Sequence, residues 1–142
     1  MIQTARDIIY GVCDKTGKCD SYFGFFKNED DAKKEVKHLE SWFDSLPNEL
    51  KLFRIVLADD KKDIDLDKPG SHYGMNRKEL VNSHQFATGV GDKTFLLSVI
   101  ANKSLIDKKE TLHNRALYPH ENEITLKNKG RGIKILSIKE LV

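Results

Sequence analysis

The feature that most constrains the fold is a change in hydrophobic period along the chain. Early apolar side chains are spaced four, three, four and three residues apart, which keeps them on one helical face: Ala32, Val36, Leu39, Phe43 and Leu46. From residue 51 onward the apolar residues form short β-branched and aliphatic runs, which are typical of strands. A helix early and strands clustered late predict an α+β fold and disfavour a regular βαβ series.

The order of the expected elements follows from the same patterns and from the turn residues between them. We expect roughly six or seven strands and two helices. The elements are an N-terminal hairpin over residues 7–26, a helix that Pro47 ends, a buried strand over 51–59, a Pro-Gly turn at 69–70, a short helix within 76–91, a strand over 93–102, a loop over 105–114, and a terminal hairpin in which 122–126 pairs with 132–138.

Length and composition predict one soluble domain. A chain of 142 residues is long enough for one real core, so residues 1–142 are expected to form a single domain. Its 39% apolar and 32% charged residues are those of an ordinary globular protein. No apolar run approaches the roughly 20 residues that cross a bilayer, and "MIQTARDIIYG" lacks the apolar centre of a signal peptide. We therefore expect a cytoplasmic protein that does not contact membrane.

Charge is divided unevenly between the two halves of the chain. Residues 1–71 carry 12 basic and 15 acidic side chains, whereas residues 72–142 carry 12 and 7. A basic C-terminal half attracts phosphates, whether of a nucleotide, a cofactor or a polynucleotide, so a nucleic-acid partner stays open. The simpler reading is a solvated, lysine-rich surface.

No spacing of metal-ligand residues stands out. Cys13 and Cys19 flank a turn, and two thiols alone do not make a zinc site. His84, His113 and His120 have no ligand-type spacing either. No metal is expected.

Arg54 is an anomaly, because it interrupts the apolar run "KLFRIVLAD". A guanidinium inside a buried strand costs several kcal/mol to desolvate unless an anion meets it. Either Arg54 points outward or pairs with an internal carboxylate, or it binds an anionic ligand.

A second unusual stretch is "LYPHENEITL", residues 117–126. If residues 121–126 are extended, Glu121, Glu123 and Thr125 point to one side, and Ile124 and Leu126 point to the other. Two neighbouring carboxylates suit chemistry at an anomeric carbon, where one stabilises developing positive charge and the other orients or deprotonates an attacker. The alternative is a solvated strand face.

These features occur in the order of a known signature. A strand Arg, the segment "SHY" after a turn, and a late Glu-x-Glu strand within "YPHENEITLKNKGRGIKILSI" resemble the ADP-ribosyltransferase superfamily. The resemblance is to its arginine-modifying branch, of Arg, Ser and Glu-x-Glu type, which includes small phage-encoded enzymes. It covers roughly residues 50–140. It implies a split antiparallel β core, here preceded by an N-terminal hairpin and helix.

The resemblance implies a set of residues that bind NAD as co-substrate. Arg54 would grip the phosphate or ribose of NAD, for which its planar fork suits better than lysine. Ser71 would stand in the family's Ser-Thr-Ser segment and hold the catalytic glutamate in place. Tyr73 would stack on nicotinamide, and His72 with Tyr73 suggests the branch that uses a His and Tyr pair.

The resemblance also implies the catalytic residues. Glu123 would hydrogen-bond the nicotinamide ribose and stabilise the oxocarbenium-like transition state, and Glu121 would activate the acceptor, usually an arginine guanidinium. The joint assignment of Arg54 to NAD and of the two glutamates to catalysis depends on one geometric expectation, that the guanidinium and the carboxylates converge on the same cleft.

The resulting expectation is a small, cytoplasmic, NAD-dependent mono-ADP-ribosyltransferase that modifies a host protein, acting in the host cytoplasm if it is phage-encoded. One alternative is a catalytically inactive module of the same fold that blocks a host protein. Another is a basic nucleic-acid-binding α+β domain.

Overall fold

A computed structural model describes residues 29–83, 87–118 and 121–141, so the predicted N-terminal hairpin lies outside the described residues. The helices are α1 (Glu29–Asp44), α2 (Arg77–Ser83) and α3 (Lys108–Leu117), and the strands are β1 (Glu49–Ala58), β2 (His72–Gly74), β3 (Thr88–Gly89), β4 (Lys93–Asn102), β5 (Glu123–Thr125) and β6 (Lys134–Leu141). The predicted α+β class is confirmed.

Two compact units are distinguished by their internal contacts. The first unit consists of the described residues within Met1–Leu46 and Lys108–His120. The second consists of the described residues within Pro47–Asp107 and Glu121–Val142. The single domain expected over residues 1–142 stays a prediction.

The first unit is helical. The predicted apolar stripe is confirmed where α1 buries Val36, Leu39 and Phe43. Helix α3 occupies residues that were expected to form a loop, and that expectation is wrong. Its buried Leu112 and Ala116 are four residues apart, on one helical face, but two apolar positions in a charge-rich segment are a weak signal.

Long cationic side chains join α1 and α3. Lys108 Nζ lies 2.5 Å from Glu40 Oε2 and 4.9 Å from the centre of the Phe43 ring. The Arg115 guanidinium lies 3.8 Å from the centre of the Trp42 ring. Each of these side chains combines a charge with an apolar stem, so the helix pair is stabilised by ionic and cation–π contacts as well as by packing.

The second unit is built on a sheet with strand order β5-β2-β1-β4-β6, and β3 is added alongside β1. Strands β1 and β4 pair antiparallel from Glu49–Asn102 to Ala58–Lys93 and form its centre. Their expected positions are confirmed, because their long apolar runs match strands buried on both sides.

The expected terminal hairpin is wrong. Strand β5 pairs with β2, and β6 pairs with β4, so the two strands lie toward opposite ends of the strand order. The connection between them contains Asn128, Lys129 and Gly130, whose φ angles of 51°, 55° and 80° are left-handed. A glycine turn after an alternating strand also suits a hairpin, so the local pattern did not distinguish the two pairings.

The sheet has two chemically different faces. Phe53 is paired with Gly74, and Gly74 with Glu123, so these three positions share one face, which we name the carboxylate face. Residues one position along a strand point to the opposite face of the sheet. That face, which we name the arginine face, carries Arg54, Tyr73 and Ile124. The carboxylate face also carries the apolar cluster of Phe53, Ile55, Leu80 and Leu96, which includes α2.

In the ranges that the structure describes, no helix is long and apolar enough to cross a membrane.

Candidate functional site

A histidine and a glutamate form the centre of the candidate site, on the carboxylate face. His72 on β2 lies opposite Thr125 on β5, one pleat from the Gly74–Glu123 pair. His72 Nδ1 is hydrogen-bonded to Glu123 Oε1, and the Thr125 hydroxyl donates to the same oxygen at 3.2 Å. An ionised carboxylate only accepts hydrogen bonds, so with Glu123 ionised the proton of this contact lies on Nδ1.

The two members of this pair differ in their access to solvent. The Glu123 side chain is 8% exposed, whereas the His72 side chain is 48% exposed. A buried carboxylate that holds one ring nitrogen fixes the imidazole in a single orientation, and a half-exposed imidazole can meet a ligand. The alternative of a solvated strand face does not apply to Glu123, since its carboxylate is buried and hydrogen-bonded.

Glu121 lies beside this pair but not on the same regular strand. Strand β5 begins at Glu123, and Asn122 has a left-handed φ of 50°, so the alternation expected over residues 121–126 is interrupted. The Asn122 side chain donates to Glu79 Oε2 at 3.0 Å, and its carbonyl accepts from the Met75 N–H at 3.1 Å. These contacts fix the backbone between the two glutamates to the start of α2.

Burial raises the pKa of the Glu121 carboxyl, and the charge of Glu123 raises it further. Both causes disfavour the ionised form. Two neighbouring carboxyl groups in different environments are the arrangement that allows one to hold or accept a proton while the other stays charged.

Arg54 is buried, at 5% exposure, and its guanidinium binds groups of the protein itself. Nε donates to the Pro69 carbonyl at 2.9 Å, Nη1 to the His72 carbonyl at 2.7 Å, and Nη2 to the Thr88 hydroxyl at 2.6 Å. Among the residues that the structure describes, no carboxylate forms an ion pair with Arg54. Burial accordingly lowers its pKa.

Arg54 and the glutamates do not converge. Strand alternation directs Arg54 to the arginine face, whereas Glu123 and His72 belong to the carboxylate face. The expectation of one cleft shared by the guanidinium and the carboxylates is therefore wrong. Arg54 contacts the candidate site through its hydrogen bond to the backbone carbonyl of His72.

Tyr73 is fully buried, at 0% exposure, and its ring centre lies 5.6 Å from the Arg54 guanidinium carbon. A ring without exposed surface offers no open face to nicotinamide in this conformation. Burial raises the pKa of the Tyr73 hydroxyl to about 12, and the charge of Arg54 opposes that shift. The hydroxyl oxygen is buried and has no hydrogen-bond partner within the described ranges.

Ser71 contributes a backbone contact between two segments of the site. Its carbonyl accepts a hydrogen bond from the Leu126 N–H at 2.7 Å, next to the end of β5. The role predicted for its hydroxyl, holding the catalytic glutamate, stays a prediction.

Several residues of the site had no distinctive signal in the sequence. Thr88 accepts from Arg54, Asn122 shapes the approach to Glu123, and Thr125 donates to it. Gly70 has a φ of +138°, and a Cβ there would lie 2.2 Å from the Arg54 guanidinium carbon. The Pro-Gly turn was recognisable, but its packing against Arg54 depends on strand pairing that the sequence does not reveal.

Comparisons of the chain with protein-family models, with curated proteins and with solved structures found no match. Within the described residues, no three His, Cys, Asp or Glu side chains are grouped so that they could hold a metal ion.

Proposed function

We propose that the protein is an NAD-dependent mono-ADP-ribosyltransferase that modifies a protein side chain, with the chemistry on the carboxylate face. The observation that carries the proposal is the buried Glu123 carboxylate, held by His72 and Thr125 and adjacent to Glu121. The order of the sequence signature supports the choice of NAD as the donor. The acceptor is taken to be a host protein, as the resemblance to small phage-encoded enzymes implies.

The proposed reaction is displacement at the anomeric carbon of the nicotinamide ribose. The bond between that carbon and the nicotinamide nitrogen breaks, and its electron pair leaves with nicotinamide. The Glu123 charge stabilises the positive charge that develops on the ribose. The lone pair of the acceptor then forms the new bond to the ribose carbon.

The proton released by the acceptor goes to Glu121 in this proposal. Its raised pKa makes the ionised form a stronger base than an ordinary carboxylate. His72 is the half-exposed polar group beside Glu123, and we assign it to hydrogen-bonding the ribose hydroxyls. NAD would thus meet His72, Glu121 and Glu123, while Arg54 and Tyr73 stay with the internal contacts described above.

A Glu123→Gln variant tests the assignment. Glutamine keeps the shape but loses the charge, so nicotinamide release and ADP-ribose transfer should fall by roughly 10²- to 10⁴-fold. Glu140→Gln is the matched control, because Glu140 is a half-exposed carboxylate on β6, and its activity should be unchanged. Intact-mass measurement of a lysate incubated with NAD detects the ADP-ribose increment. A purified wild-type protein that neither binds nor consumes NAD would refute the proposal.

A second candidate is supported by the state of Arg54 and Tyr73. With the guanidinium bonded internally and the ring fully buried, two groups that the resemblance assigns to NAD are already engaged. This favours a catalytically inactive module that blocks a host protein. Such a module would capture a partner whose mass stays unchanged, and Glu123→Gln would leave the capture intact.

A further inference from the structure

We propose that Arg54 is a positioning residue for the His72 imidazole, acting through the backbone from the opposite face of the sheet. Its role would then be to orient the His72–Glu123 pair and not to hold the phosphates of a nucleotide. The activity part of this inference rests on the proposed function, whereas the geometric part does not.

The guanidinium spans the segment that carries His72. Nε binds the Pro69 carbonyl and Nη1 binds the His72 carbonyl, so both ends of the Pro69–His72 segment are attached to β1 by one rigid, planar group. Nη2 binds Thr88, which ties the same group to β3. A charged donor makes each of these bonds stronger than a bond between neutral groups.

The backbone of the Pro69–His72 segment has little room to change its conformation. Gly70 has a φ of +138° and lies so close to Arg54 that a Cβ would be 2.2 Å from the guanidinium carbon. The Gly70 N–H also donates to the Lys129 carbonyl at 2.8 Å. The backbone that leads into His72 is therefore confined between Arg54 and the connection that follows β5.

Fixing this backbone fixes the direction of the imidazole. The His72 carbonyl and side chain share one Cα, and on a strand the side chain points away from the sheet at an angle set by the local backbone. The His72 ring must meet Glu123 across the β2–β5 pairing, which contains three residue pairs. Such a short ladder alone orients the ring weakly, and the Arg54 bonds provide the additional constraint.

The energetic cost of burying Arg54 is consistent with this role. The guanidinium is buried with neutral oxygens as its hydrogen-bond acceptors. A cation in such surroundings stabilises a fold less well than an apolar side chain of similar size. The specific geometry that it imposes on Pro69–His72 is what a leucine or methionine could not supply.

The test compares Arg54→Lys and Arg54→Met with wild type by NMR of the His72 ring nitrogens and the Nδ1 proton. Lysine keeps the charge but cannot reach three acceptors, and methionine keeps the bulk. We expect the Nδ1 proton of both variants to exchange with water at least about tenfold faster, since a weakened hydrogen bond protects it less. Thr88→Val removes the acceptor that is not on the Pro69–His72 segment, and should produce a smaller change.

Arg115→Met is the matched control for the loss of a structural arginine. Arg115 stacks on Trp42 in the helical unit, so its removal should lower stability without changing the His72 signals. If Arg54→Met fails to fold, Arg54→Lys and Thr88→Val carry the test. Unchanged exchange of the His72 proton in folded Arg54→Lys would overturn the inference.

Kinetics separate positioning from nucleotide binding. A positioning role lowers kcat of Arg54→Lys by roughly tenfold or more, because the misoriented His72–Glu123 pair acts in the transition state, and it changes KM for NAD by a smaller factor, because His72 also contacts the ribose. A phosphate-binding role raises KM and leaves the His72 proton unaffected, which would also overturn the inference. If wild type has no activity toward NAD, the proposed function fails, and the NMR comparison still decides the positioning role.

Discussion

The buried hydroxyl of Tyr73 leads to a prediction about the stability of the Tyr73→Phe variant. The hydroxyl is buried and has no hydrogen-bond partner among the residues that the structure describes, and a Cβ added at Gly130 would lie 2.7 Å from its oxygen. Tyr73→Phe removes only this oxygen and keeps the ring between its neighbours. We therefore expect the variant to be more stable than wild type.

The size of the effect follows from two opposing contributions. An unsatisfied buried polar group costs about 1–3 kcal/mol, and its removal recovers that amount. The void left by one oxygen costs up to about 1 kcal/mol. The expected net gain is about 1 kcal/mol, which corresponds to a rise in Tm of about 3 °C for a chain of this size.

The gain should increase at high pH. The unfolded hydroxyl ionises near pH 10, whereas the folded one holds its proton until about 12. Between these values the unfolded state binds fewer protons than the folded state, so wild-type stability falls as pH rises. The loss amounts to roughly 3 kcal/mol in the limit of complete titration.

Urea unfolding of wild type and Tyr73→Phe at pH 7 and at pH 10 to 11 measures both effects. The difference between the two proteins isolates Tyr73 from the other groups that titrate at high pH. A variant that is less stable than wild type by 1 kcal/mol or more would refute the reasoning, because it would mean that the hydroxyl has a favourable partner.

Two other changes test the surroundings of the site. Gly70→Ala places a Cβ against the Arg54 guanidinium and strains a positive φ, so it should cost more than about 2 kcal/mol in urea unfolding. Gly132 also has a positive φ, of +94°, but no neighbour of an added Cβ closer than 3.8 Å, so Gly132→Ala should cost about 1 kcal/mol; equal losses would argue against the packing explanation. Glu121→Gln should stabilise the protein at pH 8 but not at pH 4, because the raised pKa of Glu121 means that ionisation opposes folding above the unfolded pKa. A gain that is the same at both pH values would contradict the environment assigned to Glu121.

The sequence was most informative where one side chain pattern extended over ten or more residues. Helix α1 and strands β1 and β4 were expected close to their final positions, because each has a long apolar pattern of one period. Helix α3 was missed, since its segment is rich in charge and its buried positions depend on a partner helix. Where the pattern was short, tertiary contacts determined which secondary structure the segment forms.

Pairing of strands was the part that local patterns could not supply. Residues 122–126 and 132–138 look like a hairpin, yet they join different strands of the sheet. The same limit applies to the candidate site. Glu123 and Arg54 were both recognised as unusual, but which face each one occupies follows from the register of β1, β2 and β5.

The lengths of the strand pairings also determine which part of the sheet can separate first. The β1–β4 ladder joins ten residue pairs, whereas β5 is held to β2 by three. Free energies of local opening follow such differences, so the end of the sheet with Glu123 can separate while its centre stays intact. The carboxylate would then become accessible by a sub-global fluctuation, and a ligand that binds the closed arrangement would slow amide exchange in β2 and β5 before it changed that of β1 and β4.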